Sequence, residues 1–343
     1  MTTTNKKFHV AVVGATGAVG QTMISTLIER NFPIGKLTLL SSKRSAGKEV
    51  EVNGEMITVK EATPESFEGV DIALFSAGGS VSKELAPEAV KRGAIVVDNT
   101  SAFRMTENVP LVVPEVNPED LDTHEGIIAN PNCSTIQMVV ALEPIRKQYG
   151  LKKVIVSTYQ AVSGSGAKAI QELEKQTKAY FDEGEIKAEV YPHQIAFNAI
   201  PQIDVFQDNG FTYEEMKMIN ETKKIMHMPG LEVAATCVRI PVQNSHSESV
   251  YIEIENEEVS VSELQQLMKT AEGITLQDDP AQLEYPMPFP AAGKKDVFVG
   301  RIRKDLDRKN GFHLWIVSDN LLKGAAWNSV QIAETLVKRG LLN

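Results

Sequence analysis

FHVAVVGATGAVG, residues 8–20, is the stretch whose reading decides the fold. Residues 8–13 are a compact β-type run, glycines follow at 14, 17 and 20, and Met23, Ile24, Leu27 and Ile28 recur at helical spacing. Strand, glycine turn and helix is the arrangement that binds dinucleotides. Glycine lets the backbone approach a pyrophosphate, and the helix N-terminus meets its charge with unpaired N–H groups. The spacing is GxxGxxG rather than GxGxxG, and a tight strand-to-helix turn in any α/β domain carries the same residues.

Downstream, the β and α patterns keep alternating. Residues 37–40 form a second strand that runs into Ser41-Ser42-Lys43-Arg44-Ser45, and no acidic residue occurs between Glu29 and Glu49. A site for NAD usually has an acid near this strand end to bind the ribose 2′-hydroxyl; hydroxyls and Arg44 instead suit the 2′-phosphate of NADP, although a basic surface turn looks the same. Residues 50–59 alternate around Asn53-Gly54, a hairpin signal. Strands at 71–75 and 95–97, with a helix at 83–92 between them, continue a parallel, doubly wound α/β pattern to about Ala129. Arg104, just past a strand end on the ligand-binding side of such a sheet, suits an anion, and a solvated surface arginine reads identically.

A second stretch, GIIANPNCSTIQ at residues 126–137, carries the candidate chemistry. Cys133 falls on the first turn of a helix, where the macrodipole and free N–H groups favour thiolate over thiol. A small buried residue is the plainer reading. Pro144 is expected to break this helix.

Composition narrows the function classes. The 343-residue chain is long enough for two domains, 42% hydrophobic and 23% charged, with a net charge of −10 that repels phosphate backbones and anionic membranes on average. No nucleic acid or membrane partner is expected. The N-terminal residues 1–7 have no apolar core of a signal peptide, and no run reaches a membrane-spanning length, so a cytoplasmic protein is expected. Two cysteines and six dispersed histidines offer no disulfide scaffold and no zinc spacing, hence no metal.

In the second half, residues 154–160 form a strand ending at Gln160; if Tyr159 faces the core, Gln160 points the other way and can orient a substrate carbonyl. The Ser163-Gly164-Ser165-Gly166 loop and a helix at 168–181 follow. Thr212 to Glu215 is a capping box, which makes Glu215 structural. Glu214 and Lys217 share a helical face, as a site or as a surface ion pair. On the strand at 232–242, Val233, Ala235, Cys237 and Arg239 share one side; Arg239 needs an anionic partner if that side is covered, and Cys237 reads as core. His246 has the setting best suited to acid–base work among the histidines. Four prolines between 280 and 290 suggest an ordered arm, and a last helix spans 325–339.

With these residues in view, the chain resembles the aspartate-semialdehyde dehydrogenase family along nearly its whole length: GATGAVG, DNTSAFR, PEVN, NPNCSTIQ, TYQAVSGSG, EEMK, VRIPV with SHSES, and SDNLLKGAA. The resemblance implies an NADP-dependent oxidoreductase of lysine, diaminopimelate, threonine and methionine biosynthesis. It acts on aspartyl phosphate, aspartate semialdehyde and inorganic phosphate, through a thioester intermediate. Cys133 would be the nucleophile, His246 the acid–base residue and Gln160 the substrate-positioning residue. Arg239 and Glu214 would bind the amino-acid end of the substrate, Arg104 and Lys217 phosphate. Gly14, Thr16, Gly17, Ala18, Val19, Ser41, Arg44, Ser45, Ser163, Gly164 and Asn320 would line the NADP site. The implied fold is a Rossmann domain at 1–131, completed by 322–343, with an α+β catalytic and dimerisation domain at 132–321 that makes a homodimer or a dimer of dimers. N-acetyl-glutamyl-phosphate reductase shares this plan and chemistry; a catalytically idle NADP-binding protein would keep only the first domain's role.

Overall fold

Alternating apolar runs and amphipathic segments build the first half of the chain as a wound sheet. In the computed structural model, residues 6–342 are described; residues 1–5 and Asn343, the outer ends of the two expected terminal segments, lie outside them. By contacts the chain divides into Met1–Asn132 with Ala325–Asn343, and Cys133–Gly324.

In the first unit, β1 (Phe8–Val13), α1 (Ala18–Glu29), β2 (Ile34–Ser41), the hairpin β3 (Glu49–Val52) and β4 (Glu55–Thr58), β5 (Lys60–Glu61), β6 (Ile72–Phe75), α2 (Gly79–Lys91), β7 (Ile95–Asp98) and β8 (Ile127–Ala129) follow in order. The main sheet is parallel, ordered β5-β2-β1-β6-β7-β8, so the chain winds outward from β1 in both directions. Both faces are covered, as a parallel sheet requires. Val10 and Val12 pack with Met23, Leu27 and, from the C-terminal helix Trp327–Arg339, Val330 and Leu336. Ala11 and Val13 point the other way, toward Phe67, Phe75, Leu85 and Ala89. That C-terminal helix is shorter than expected: residues 322–326 make a single wider turn before it, and Gly340 ends it in the left-handed region. Asn53 and Gly54 both have positive φ, the hairpin turn their pairing implies.

The second unit opens with α3 (Cys133–Tyr149), which runs straight through Pro144. The expected break does not occur because Ile136, Met138, Val139, Val140, Leu142 and Ile145 are all buried. Packing on so many sides outweighs the roughly 3 kcal/mol that an interior proline costs a helix. Then come β9 (Lys153–Gln160), α4 (Ala167–Phe181), α5 (Tyr213–Ile225), β10 (Glu232–Arg239), β11 (His246–Glu253), α6 (Val261–Thr270), β12 (Ile274–Leu276), the one-turn α7 (Pro288–Ala291), β13 (Val297–Lys304) and β14 (Gly311–Ser318). The proline-rich segment is ordered, with the Pro286 carbonyl accepting from the Trp315 indole N–H at 2.9 Å. Strand order is β10-β9-β11-β14-β13-β12, mixed rather than parallel.

Register in this sheet decides the site. Arg239 is paired with Gln160, Ser247 with Tyr159, and His246 with Ser318. Strand ends distant in sequence thus bring Arg239, Gln160 and His246 into one row on the covered face. Tyr159 is half-buried on the opposite face while Gln160 is 1% exposed, so it is Gln160, not Tyr159, that faces inward. No helix among the described residues is long and apolar enough to cross a membrane, and no cluster of three or more His, Cys, Asp or Glu side chains there could hold a metal.

Candidate active site

Cys133 is the first residue of α3, half-buried and in no disulfide. A Cβ on Gly324 would lie 2.8 Å from the Cys133 Cβ, so the glycine of the SDNLLKGAA segment is what leaves room for the cysteine. One helical turn further on, Gln137 donates from Nε2 to the His246 carbonyl at 3.3 Å, tying the cysteine helix to β11.

His246 is fully buried. The Ala161 N–H donates to its Nδ1 at 3.0 Å, so the proton of the neutral ring sits on Nε2, which has no protein partner. Burial, reinforced by the Arg239 guanidinium, pushes the imidazole well below its ordinary value against a weaker opposing bond to Ser245. The ring is therefore neutral at physiological pH, with an N–H to offer.

Arg239 donates from Nη1 to the Ala161 carbonyl at 2.6 Å, and the Tyr191 ring lies 5.8 Å from its guanidinium. Its buried Nε has no hydrogen-bond partner. A buried guanidinium with an unspent donor is built for an anion. Gly164 is exposed between these groups: a Cβ there would come 3.0 Å from Arg239 Nη1 and 3.4 Å from His246 Nε2. Gly164→Ala is accordingly expected to keep the fold, since φ there is not positive, but to lower kcat/KM by roughly 10- to 100-fold through crowding of about 1–3 kcal/mol. Steady-state kinetics beside a thermal melt check this; an unaltered kcat/KM would show that neither side chain needs the space.

Glu214 is no surface residue. It is buried, accepts from Gln160 Nε2 at 3.2 Å and from Lys217 Nζ at 3.1 Å. Gln160 Nε2 also reaches Thr158 Oγ1 at 3.2 Å. Lys217 makes a second bond, 2.9 Å, to Asp204, a partner that nothing in the sequence signalled. Burial alone would lower the Lys217 pKa, but Glu214 and Asp204 together hold it above the ordinary value. The capping box at Thr212 and Glu215 forms as read, and Cys237 is core, its thiol pushed up by burial and then by Glu214.

The candidate cofactor residues fall into two sets. In the first unit, Gly14, Thr16, Gly17, Ser41, Arg44 and Ser45 line one cleft of about 600 Å³. A Cβ on Gly14, at φ +88°, would strike the Ser76 carbonyl at 2.7 Å. Gly17 caps α1 without a side chain, and Ala18 and Val19 form the helix's first turn. Thr16 and Ser41 hydroxyls are 3.0 Å apart. An acid does border this cleft: Glu61 on β5, set beside Ser41 by pairing with β2 rather than by proximity in sequence. In the second unit, Asn320 Nδ2 donates to Ser163 Oγ at 3.0 Å and its Oδ1 accepts from the Ser245 N–H at 2.9 Å, so this pair braces the residue before His246. Arg104, in the first unit, is buried, donating to the carbonyls of Asn130 and Asn99 at 3.0 Å each, and is not a solvated surface arginine.

Comparison with known proteins bears on this arrangement. The semialdehyde dehydrogenase NAD binding domain family matches residues 9–124, and the semialdehyde dehydrogenase dimerisation domain family matches residues 142–323. Aspartate-semialdehyde dehydrogenase of Bacillus subtilis (strain 168) is 72% identical, with 97% of this chain and 99% of that protein covered. Among solved structures, aspartate semialdehyde dehydrogenase II of Vibrio cholerae complexed with ASA superposes with a TM-score of 0.94 at 46% identity over 97% of this chain and 99% of that one. Aspartate semialdehyde dehydrogenase with NADP from Candida albicans gives 0.77 at 27% identity, covering 97% and 99%. With both parts matched in order and identity this high over nearly all of its length, the chain belongs to the aspartate-semialdehyde dehydrogenase family.

Proposed function

We propose that this oxidoreductase uses NADP to carry out the reversible reductive dephosphorylation of L-aspartyl 4-phosphate to L-aspartate 4-semialdehyde, through a thioester on Cys133. The observation that carries the reading is the row Arg239, Gln160 and His246: a buried guanidinium with a donor to spare and a neutral imidazole on one sheet face, its main chain bonded to the helix that begins with a thiol.

The residues divide the work by their chemistry. The Cys133 thiolate attacks the acyl carbon; the carbon–oxygen bond to phosphate breaks, and inorganic phosphate leaves with the electron pair. Backbone N–H groups at the start of α3 stabilise the oxyanion, each donor worth about 3–4 kcal/mol in a dry site. At rest the His246 Nε2 N–H can hydrogen-bond the developing oxyanion; with its Nδ1 bond to the Ala161 N–H released, the ring takes up the one proton that this direction consumes, gives it as imidazolium to the departing phosphate, and as the neutral ring takes it back in reverse. Arg239 grips the substrate's α-carboxylate and Glu214 its amino group, while Gln160, anchored by Thr158 and Glu214, positions the carbonyl. Lys217 and Arg104 hold phosphate. The reduced cofactor, NADPH, would supply hydride for the thioester carbon when bound, leaving oxidised NADP as the Cys133 thiolate is expelled and the semialdehyde released.

For NADP, the first-unit cleft fits: a glycine turn that excludes a Cβ, helix N–H groups with no capping side chain, and Ser41, Arg44 and Ser45 for a 2′-phosphate. Ser163, Gly164 and Asn320 are the second unit's candidate cofactor residues. The enzyme works in the cytoplasm as a homodimer or a dimer of dimers, in the route to lysine, diaminopimelate, threonine and methionine. The test is phosphate-dependent NADP reduction with aspartate semialdehyde set beside N-acetyl-glutamate semialdehyde. A strong preference for the former is expected, and a preference for the acylated, longer substrate would transfer the protein to the reductase with which it shares its chemistry.

A further inference from the structure

Directly under the row Arg239, Gln160 and His246, the same sheet face carries a second row. Cys237 is paired with Thr158, and Thr158 with Glu248. Each lies two residues along its strand from the member above it, one step down the face. On α3, Gln137 lies one turn below Cys133 just as Glu248 lies one step below His246. Both are completely buried. Gln137 spends Nε2 on the His246 carbonyl at 3.3 Å, while its Oε1 and both Glu248 carboxyl oxygens have no hydrogen-bond partner.

We propose that Gln137 and Glu248 are a pair of positioning residues, one layer beneath Cys133 and His246, which set the His246 main chain against the helix that carries the nucleophile. This rests on Cys133 and His246 having the roles given above. Three buried acceptor oxygens without a partner need a donor, and an ionised Glu248 has none to give. A protonated Glu248 has: its O–H can donate to Gln137 Oε1, and the amide is then held at both ends, by Glu248 and by the His246 carbonyl. Burial pushes the Glu248 carboxyl well above the ordinary range, with the Gln137 side chain as the opposing influence. The groups around it agree with a neutral acid. Thr158 on β9 and the Cys237 thiol on β10 are uncharged, Glu215 on α5 is engaged by its capping box and the Cys237 N–H, and Glu214 is paired with Lys217. Arg239, in the row above, bonds the Ala161 carbonyl rather than Glu248. Sequence carried half a signal for this layer: an acid on the inward side of a strand that continues with Val250 and Ile252.

Positioning predicts a split between kinetic constants, because Glu248 touches no substrate while a displacement of about 1 Å at the reacting groups costs about 100-fold. Glu248→Gln, which keeps the shape of the neutral acid, is expected to hold kcat within about threefold of wild type. Glu248→Ala is expected to lower kcat by about 10- to 100-fold with KM within about twofold. Equal losses in the two variants, or a folded Glu248→Ala with wild-type kcat, would overturn the proposal. If the alanine variant does not fold, the infrared difference between wild type and Glu248→Gln at neutral pH decides: the carbonyl stretch of a protonated carboxyl is expected only in wild type, and its absence there overturns the neutral acid. A wild type that forms no thioester would sink the proposed function, and with it the positioning role, whatever the infrared result.

Discussion

Cys133→Ser is expected to lower turnover by about 10⁴-fold or more while leaving NADP affinity within about twofold. A serine hydroxyl stays protonated where a thiol at a helix start ionises, and the one acid–base ring at hand, His246, would have to release its Nδ1 bond to the Ala161 N–H before it could take the serine proton. The substitution is not expected to disturb folding. Serine is smaller than cysteine and keeps the Cβ beside which Gly324 leaves room. Single-turnover mixing of enzyme, aspartate semialdehyde and NADP reads the result as a burst of reduced cofactor in wild type and none in the variant. A full burst from the serine enzyme would remove Cys133 from the reaction.

Arg239→Lys is the second large effect, and it falls on KM. The guanidinium keeps Nη1 on the Ala161 carbonyl while offering further N–H groups to a carboxylate; an ammonium is a single point charge and cannot do both. Losing one charge-assisted bond at a buried site costs about 2–3 kcal/mol, so KM for aspartate semialdehyde is expected to rise by about 30- to 150-fold with a smaller change in kcat. An unchanged KM would take Arg239 out of the substrate site. Arg239→Leu adds a readout in pH. Removing the charge that depresses His246 raises the imidazole's pKa, so the acid limb of kcat/KM moves to higher pH in the leucine variant and stays low in the lysine one.

Much of this was readable in advance, for a physical reason: local chemistry is written locally. The glycines at 14, 17 and 20, the Asn53-Gly54 turn and the Thr212 capping box each specify backbone geometry within a few residues, and each forms. Cys133 at a helix start is legible in the same way. Pro144 misled because its local cost is outweighed by contacts from residues distant in the chain. Which of Tyr159 and Gln160 turns inward stays open in the sequence because which side of β9 is covered depends on what packs over it. Asp204, Glu61 and Gly324 enter through pairings between distant segments that no spacing encodes. The row of Arg239, Gln160 and His246 is the sharpest case: three strand ends had identifiable character, but only the register of β9, β10 and β11 makes them neighbours.

The helix Trp327–Arg339 buries Val330, Ala333 and Leu336 in the same cluster as Val10 and Leu27. A ribosome delivers those residues after everything from Val10 to Gly324. During translation one flank of the first unit's sheet therefore stays bare until this helix emerges, whereas everything from Cys133 to Gly324 is already available to assemble. A nascent chain paused short of residue 327 shows an apolar surface to chaperones and proteases, which makes synthesis of that helix a condition for a finished first unit.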